Sequence, residues 1–257
     1  MAVAAETTLD VDPSLERARE LAAEGNAIPI RMSFVDDCET PVSAFLKLRG
    51  EGPCFLLESA EQGRLGRYSF LGFRPRVLLR WDDGVLAEWP GERSSGEPEA
   101  RHEAPDPYAA VSEYLSRYRV PGVDGLPPFA GGAVGFFGYD LVRTVEPLGA
   151  PNPDPIGLPD MALMVSDLLV VFDHMRHELT LMAYAFLDAD ADADVGAAYA
   201  EAVSAIAAAR ERLRGPVPRA PSPAGPRPAP AFTSNMSRER FESSVRAKTL
   251  SGLPLQG

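Results

Sequence analysis

The pair Asp83-Gly84, set inside the apolar stretch of residues 77–89, constrains the fold most. Asp-Gly between apolar runs supplies the positive-φ positions of a tight turn whose twist matches its flanking strands, so it predicts a β-hairpin. Residues 166–172 and 179–186 predict a second hairpin, turning at Asp173–His177. Residues 54–57 and 68–73 are further strand-length runs, and 129–142 read as a buried strand and turn.

Helical signals stand beside these strands. Asp12 as N-cap and Pro13 at the first helical position open one, with Leu15, Ala18, Leu21 and Ala22 at helical spacing and Gly25 as its stop. Thr40-Pro41 opens a second, with Val42, Phe45, Leu46 and Arg49 on successive turns. Asp106-Pro107 opens a third, whose buried side is expected to carry Tyr108, Val111, Leu115 and Tyr118. Residues 195–213 repeat Val195, Tyr199, Ala202, Ile206 and Leu213 near the 3.6-residue period. Residues 91–103, polar and Gly/Ser-bearing, read as an exposed loop. Strand blocks and helices do not alternate as βαβ units, which predicts an α+β fold of antiparallel β-sheets flanked by helices.

The composition changes at residue 215. Seven prolines between 216 and 230 favour extended chain over a packed core. The expected organisation is a domain over 1–214, a Pro-rich linker over 215–231 and a short final segment over 232–257. Ser237 would cap that segment's helix, Phe241 and Val245 give it a thin apolar face, and Gly252 and Pro254 end it. A formal net charge of -12 argues against nucleic-acid and anionic membrane partners, since neutralising phosphate needs a basic face. No apolar run approaches the roughly 20 residues of a membrane span. The two cysteines, Cys38 and Cys54, follow no metal or redox spacing, so reduced thiols and a cytoplasmic location are expected.

Few residues suggest chemistry by themselves. The glycine-rich run from Gly131 to Gly138 lacks the Gly-Lys-Ser/Thr of a phosphate loop and reads as a buried strand with close backbone packing. Asp188, Asp190, Asp192 and Asp194 lack the glycine and glutamate of a calcium loop and read as acidic residues favouring a helix N-terminus. His174 and His177, with Asp173, read as solvated turn residues. No catalytic constellation emerges from the residues alone.

Several stretches in order carry a resemblance. Residues 26–49 end in Glu39-Thr40-Pro41-Val42-Ser43-Ala44-Phe45-Leu46-Lys47-Leu48-Arg49. Phe55-Leu56-Leu57-Glu58-Ser59 is followed by Gly66-Arg67-Tyr68-Ser69-Phe70-Leu71-Gly72, and Gly131-Gly132-Ala133-Val134-Gly135-Phe136-Phe137-Gly138-Tyr139-Asp140 comes later. Together with the Ser234-Asn235 helix start, they resemble the front part of anthranilate synthase component I. The resemblance implies a large subunit that converts chorismate to anthranilate and pyruvate. It would use Mg2+ and ammonia from a glutamine amidotransferase partner, under feedback by L-tryptophan. It assigns tryptophan binding to Ser59, with Glu58 as a second candidate. The family's chorismate and magnesium residues follow the last helix, whereas residues 249–257 here run Thr-Leu-Ser-Gly-Leu-Pro-Leu-Gln-Gly. The resemblance therefore assigns no catalytic and no metal residue, and implies a front part truncated before the catalytic half and inactive alone. The alternatives are a fragment of the related aminodeoxychorismate synthase large subunit and a non-enzymatic amino-acid-binding module.

Overall fold

The computed structural model describes residues 9–59, 66–91, 96–149, 153–154, 156–187, 194–218 and 234–250. Two compact units divide at Pro218. In the first, the described strands form one eight-stranded antiparallel sheet, confirming the α+β class. The strands are β1 (Ala27–Val35), β2 (Phe55–Leu57), β3 (Tyr68–Asp82), β4 (Val85–Pro90), β5 (Ala100–Glu103), β6 (Ala133–Phe137), β7 (Met161–Asp173) and β8 (Glu178–Phe186). The helices of this unit are α1 (Leu15–Leu21), α2 (Pro41–Leu48), α3 (Pro107–Ser116) and α4 (Val195–Arg214), with a 3₁₀ turn at Tyr139–Thr144.

Long strands β3 and β7 are the spine, paired from Tyr68↔Asp173 to Trp81↔Met161. At one end β8 and β1 continue outward from β7, while β2 pairs with β3. At the other end β6 pairs with β7, and β4 and β5 extend from β3. Between the halves, Pro75 pairs with Ser166 and Val77 with Val165, so β3 carries one extra residue, and Arg74 there takes φ 51°. Because side chains alternate with period two, a one-residue insertion exchanges the faces. Leu71 and Phe73 therefore join the core beneath α1, α2 and α4. Val77, Leu79 and Trp81 join the core beneath α3. The sequence suggests two strands around Pro75, and the structure makes them one strand with a change of face.

That bend buries a charge. Asp167 lines a cavity of about 110 Å3 with Arg74, Arg76 and Glu201, and its Oδ1 has no hydrogen-bond partner among the described residues. Burial pushes this carboxyl up to about 6, against the pull of Arg76 and Arg74. The folded state thus holds the proton more tightly than the unfolded chain, so stability falls as pH rises from about 4 to 6 and stays lower above. Asp167→Asn is expected to flatten that dependence and raise stability at pH 7 by about 2 kcal/mol, read by denaturant unfolding at pH 4 and 7.

Local signals behave unevenly. Ser14, and not Asp12, caps α1 by accepting from the Arg17 N–H; Asp12 instead bridges to Arg31 through both backbone and carboxylate. Thr40 forms a capping box with Ser43, as the Thr40-Pro41 start suggests. Inside α2, Ala44 and Leu48 are the buried residues, and Val42 is exposed. Lys47 pairs with Glu39, both nearly buried, and donates to the Leu213 carbonyl at 2.7 Å, tying α2 to the end of α4. In α3, Asp106 caps as expected, but Tyr114 is buried where Tyr108 is exposed.

Two strands lie where none is legible. β1 holds Pro29 and buries Ala27 through Ile30 consecutively, so its first half shows no alternation. As the outer strand beside β8, it tolerates a residue without an N–H. β5 forms within the expected 91–103 loop, pairing Glu103 with Val85. The expected buried strand at 129–142 is corrected: β6 pairs with β7 but leaves Phe136 and Phe137 about half exposed. It borders β7 on one side only among the described strands, so glycine spacing marks backbone approach and not burial.

The second unit is described by α5 (Arg238–Leu250), where Ser237 Oγ accepts from the Arg240 N–H and Phe241 and Val245 are exposed. Asp188, Asp190 and Asp192, most of the Pro-rich stretch, and Gly252 with Pro254 lie outside the described residues. Asp194 is the N-cap of α4, accepting from the Gly196 N–H at 2.8 Å.

Candidate functional site

Glu58 and Ser59 follow directly on β2, and both are exposed. β2 is positioned by its ladder, with Leu57 opposite Phe70 and Phe55 opposite Gly72. Alanine at Gly72 would collide with the Phe55 ring, so glycine there admits the β2 aromatic. The same register leads Glu58 and Ser59 toward the start of β3. There Tyr68 stacks on Phe70 at 5.9 Å, and Phe70 meets Phe129 edge-on at 5.5 Å. Leu57 is thus paired with Phe70 of this half-buried aromatic group, and the exposed Glu58 and Ser59 follow it in the chain.

A polar network fixes this end of the sheet. Arg67 donates to both Asp173 oxygens, at 3.0 and 2.6 Å, and its guanidinium lies 4.7 Å from the Tyr68 ring centroid. The Arg67 bond, joined by backbone N–H groups of Arg176 and Met175, holds the Asp173 carboxyl below the usual carboxylate range. Buried Ser69 shares a hydrogen bond of 2.8 Å with His174 Nε2. His174 and His177 are both exposed turn residues as expected, His174 held by this bond and His177 lying 3.4 Å from Asp37, whereas Asp173 is buried. Arg67 belongs to a quoted motif, but nothing in its neighbourhood signals a partner 106 residues away.

Beside the network lies a pocket of about 450 Å3 whose wall includes Tyr68, Arg31, Ser33, Thr180, Arg176 and Glu178. Its charges of both signs, with Tyr68 and Val171, are complementary to a zwitterion carrying an apolar group. Among the described residues, neither Glu58 nor Ser59 lines it, so the structure places them near the same strand end without making them its wall. Among the described residues, no group of three or more His, Cys, Asp or Glu side chains that could hold a metal ion comes together. No helix among them is long and apolar enough to cross a membrane.

Fold and site define an α+β protein built on one bent antiparallel sheet, with a polar, charged and aromatic surface at one end. No family model matches the chain. It is 46% identical over 165 residues to anthranilate synthase component 1 of Pseudomonas aeruginosa, covering 62% of this chain and 32% of that protein. The Thermus thermophilus protein of the same name gives 43% over 158 residues, 60% of this chain and 32% of its own. That of Mycolicibacterium smegmatis gives 39% over 186 residues, 72% and 34%. A crystal structure of anthranilate synthase component I from Streptococcus pneumoniae TIGR4 matches with a TM-score of 0.48 and 24% identity, covering 84% of this chain and 44% of that one. The chain is a relative of anthranilate synthase component I, and it spans about a third of the length of the curated relatives it matches.

Proposed function

We propose that this chain is the front, tryptophan-responsive part of an anthranilate synthase large subunit, with Ser59 and Glu58 contributing to an L-tryptophan site. The observation that carries the reading is the placement of the Leu56-Leu57-Glu58-Ser59 motif. It leaves a three-residue strand with its polar pair exposed, directly after Leu57, whose strand partner Phe70 packs with Tyr68 and Phe129. A carboxylate can accept from an amino acid's ammonium group, and a hydroxyl can bond either end of the zwitterion. Aromatic edges and faces suit an indole.

The parent reaction, chorismate and ammonia to anthranilate and pyruvate, belongs in this proposal to the whole protein. The matched relatives are about three times longer than the stretch shared here. Magnesium and the glutamine amidotransferase subunit are likewise assigned to the complete enzyme. This chain by itself is expected to release no anthranilate, read by fluorescence, from chorismate, ammonia and Mg2+; steady turnover would overturn that part.

The tryptophan reading is tested by isothermal titration of L-tryptophan into the chain and into Ser59→Ala. The expected result is saturable binding that Ser59→Ala weakens by about tenfold, the worth of one hydrogen bond to a charged group. Binding unchanged by the substitution would remove Ser59 from the site. No binding at millimolar tryptophan would show that these residues do not form a sensor within this chain.

A further inference from the structure

The pocket of about 450 Å3 beside the Arg67–Asp173 pair draws its floor from four strands. Ser33 of β1 stands opposite Thr180 of β8, and Val171 of β7 pairs with Thr180 on one side and Phe70 of β3 on the other. Side chains alternate along each strand, so Arg31, Glu178 and Tyr68, each two positions from a member of this row, face the same side. The core beneath α4 takes the other side, with Val170, Leu179 and Leu181. The pocket therefore opens on the face opposite α4.

Its polar groups are unevenly committed. Arg31 donates through Nε and Nη2 to Asp12, at 3.0 and 2.7 Å. Asp173 is occupied by Arg67, which leaves Arg176, 4.0 Å away, as a loosely held and exposed cation. Half-buried Glu178, two residues on, has no side-chain hydrogen bond or ion pair among the described residues. The Ser33 and Thr180 hydroxyls share one bond of 2.7 Å, so one O–H and the remaining lone pairs in the pocket wall are unspent. An anion and a cation thus line one pocket without pairing with each other, and Tyr68 with buried Val171 gives it an apolar part.

We infer that this pocket seats the zwitterion of an apolar α-amino acid: Glu178 and the Ser33–Thr180 pair take its ammonium group, Arg176 its carboxylate, and Tyr68 with Val171 its side chain. The choice of ligand rests on the tryptophan reading above. The anchoring residues do not, since neither Glu58 nor Ser59 lines the pocket among the described residues. Both ligand charges are required. A ligand without the ammonium would bring its carboxylate up to an unpaired Glu178, and one without the carboxylate would leave Arg176 unmatched.

The test titrates the full chain with L-tryptophan, L-phenylalanine and indole-3-propionate, which lacks the ammonium group, by isothermal titration and amide NMR shifts. Both amino acids are expected to bind and to shift Arg31–Ser33, Val171 and Glu178–Thr180. Glu178→Gln should weaken them about tenfold, the worth of one charge-assisted hydrogen bond, and should not weaken indole-3-propionate. Thr180→Val, which keeps a β-branched residue in the strand, should also weaken them. Shifts confined to residues 57–59, with affinity indifferent to Glu178→Gln, overturn the pocket and leave the Ser59 reading standing. Pocket shifts with affinity indifferent to Ser59→Ala uphold the pocket and remove Ser59 from the tryptophan site. Phenylalanine binding there without tryptophan upholds the pocket and overturns the tryptophan reading, and binding of neither overturns the pocket. Equal weakening of indole-3-propionate by Glu178→Gln would make Glu178 structural and overturn its role as anchor.

Discussion

Ile206→Ala is expected to lower the stability of the first unit by about 3–4 kcal/mol, the usual cost of truncating a fully buried aliphatic side chain. Ile206 is fully buried on α4, in the core formed with Leu71, Val170, Leu179 and Leu181 from the sheet and Leu21 and Leu48 from α1 and α2. Alanine gains roughly 0.4 kcal/mol of helix propensity, too little to offset the cavity. The melting midpoint should fall by roughly 10 °C for a unit of this size. A matched Val203→Ala, at a half-buried position beside it, should cost well under half as much. Equal losses would mean that α4 does not dock by the face seen here.

The second large effect is Gly135→Ala. A methyl group there would overlap the Ala162 carbonyl oxygen and stand 2.8 Å from Leu163 Cα, and both are backbone atoms of β7 that cannot turn aside. The expected cost is about 3 kcal/mol, taken either as strain or as separation of β6 from β7. Amide hydrogen exchange distinguishes these outcomes by location. Exchange should accelerate at β6 and at Met161–Val165 while the α4-covered half keeps its protection, because among the described strands only β3 and β7 run through both halves. Protection lost uniformly would contradict the two-part organisation of the sheet.

Both effects bear on the proposed functions through one scaffold. The α4 core holds the strand end where Glu58, Ser59 and the Arg67–Asp173 pair lie, since Leu71 and Phe172 flank them in β3 and β7. The Gly131–Gly138 segment serves the other half. Ile206→Ala should thus weaken tryptophan binding only as the unit unfolds, whereas Ser59→Ala should weaken it in a fully folded protein.

Local chemistry in the chain determined much of this. Asp83-Gly84 between apolar runs makes the β3–β4 hairpin, with both residues at positive φ. Thr40, Asp106 and Asp194 cap their helices because each offers a short side-chain acceptor to unpaired N–H groups of the first turn. The spacing of Ala202, Ile206 and Leu213 sets the buried face of α4. The ordered motifs around Ser59, Tyr68 and Gly135 were sufficient to point to the anthranilate synthase relatives. These signals operate within a few residues, where backbone geometry and periodicity are decided.

Tertiary structure decided what depends on distant partners. β1 and β5 form because β8 and β4 offer edges to them, not because their own residues alternate. Arg74 and Pro75 bend one strand without ending it, since β7 pairs across the bulge and each face then meets a different helix layer. Asp12 caps no helix because Arg31 takes its carboxylate, and His174 is held because Ser69 lies beside it. Ser166, an ordinary strand residue in sequence, is buried with no hydrogen-bond partner for its hydroxyl among the described residues once the sheet packs. Such contacts join residues tens to more than a hundred positions apart, and which of them form is settled by the free energy of the whole packed sheet.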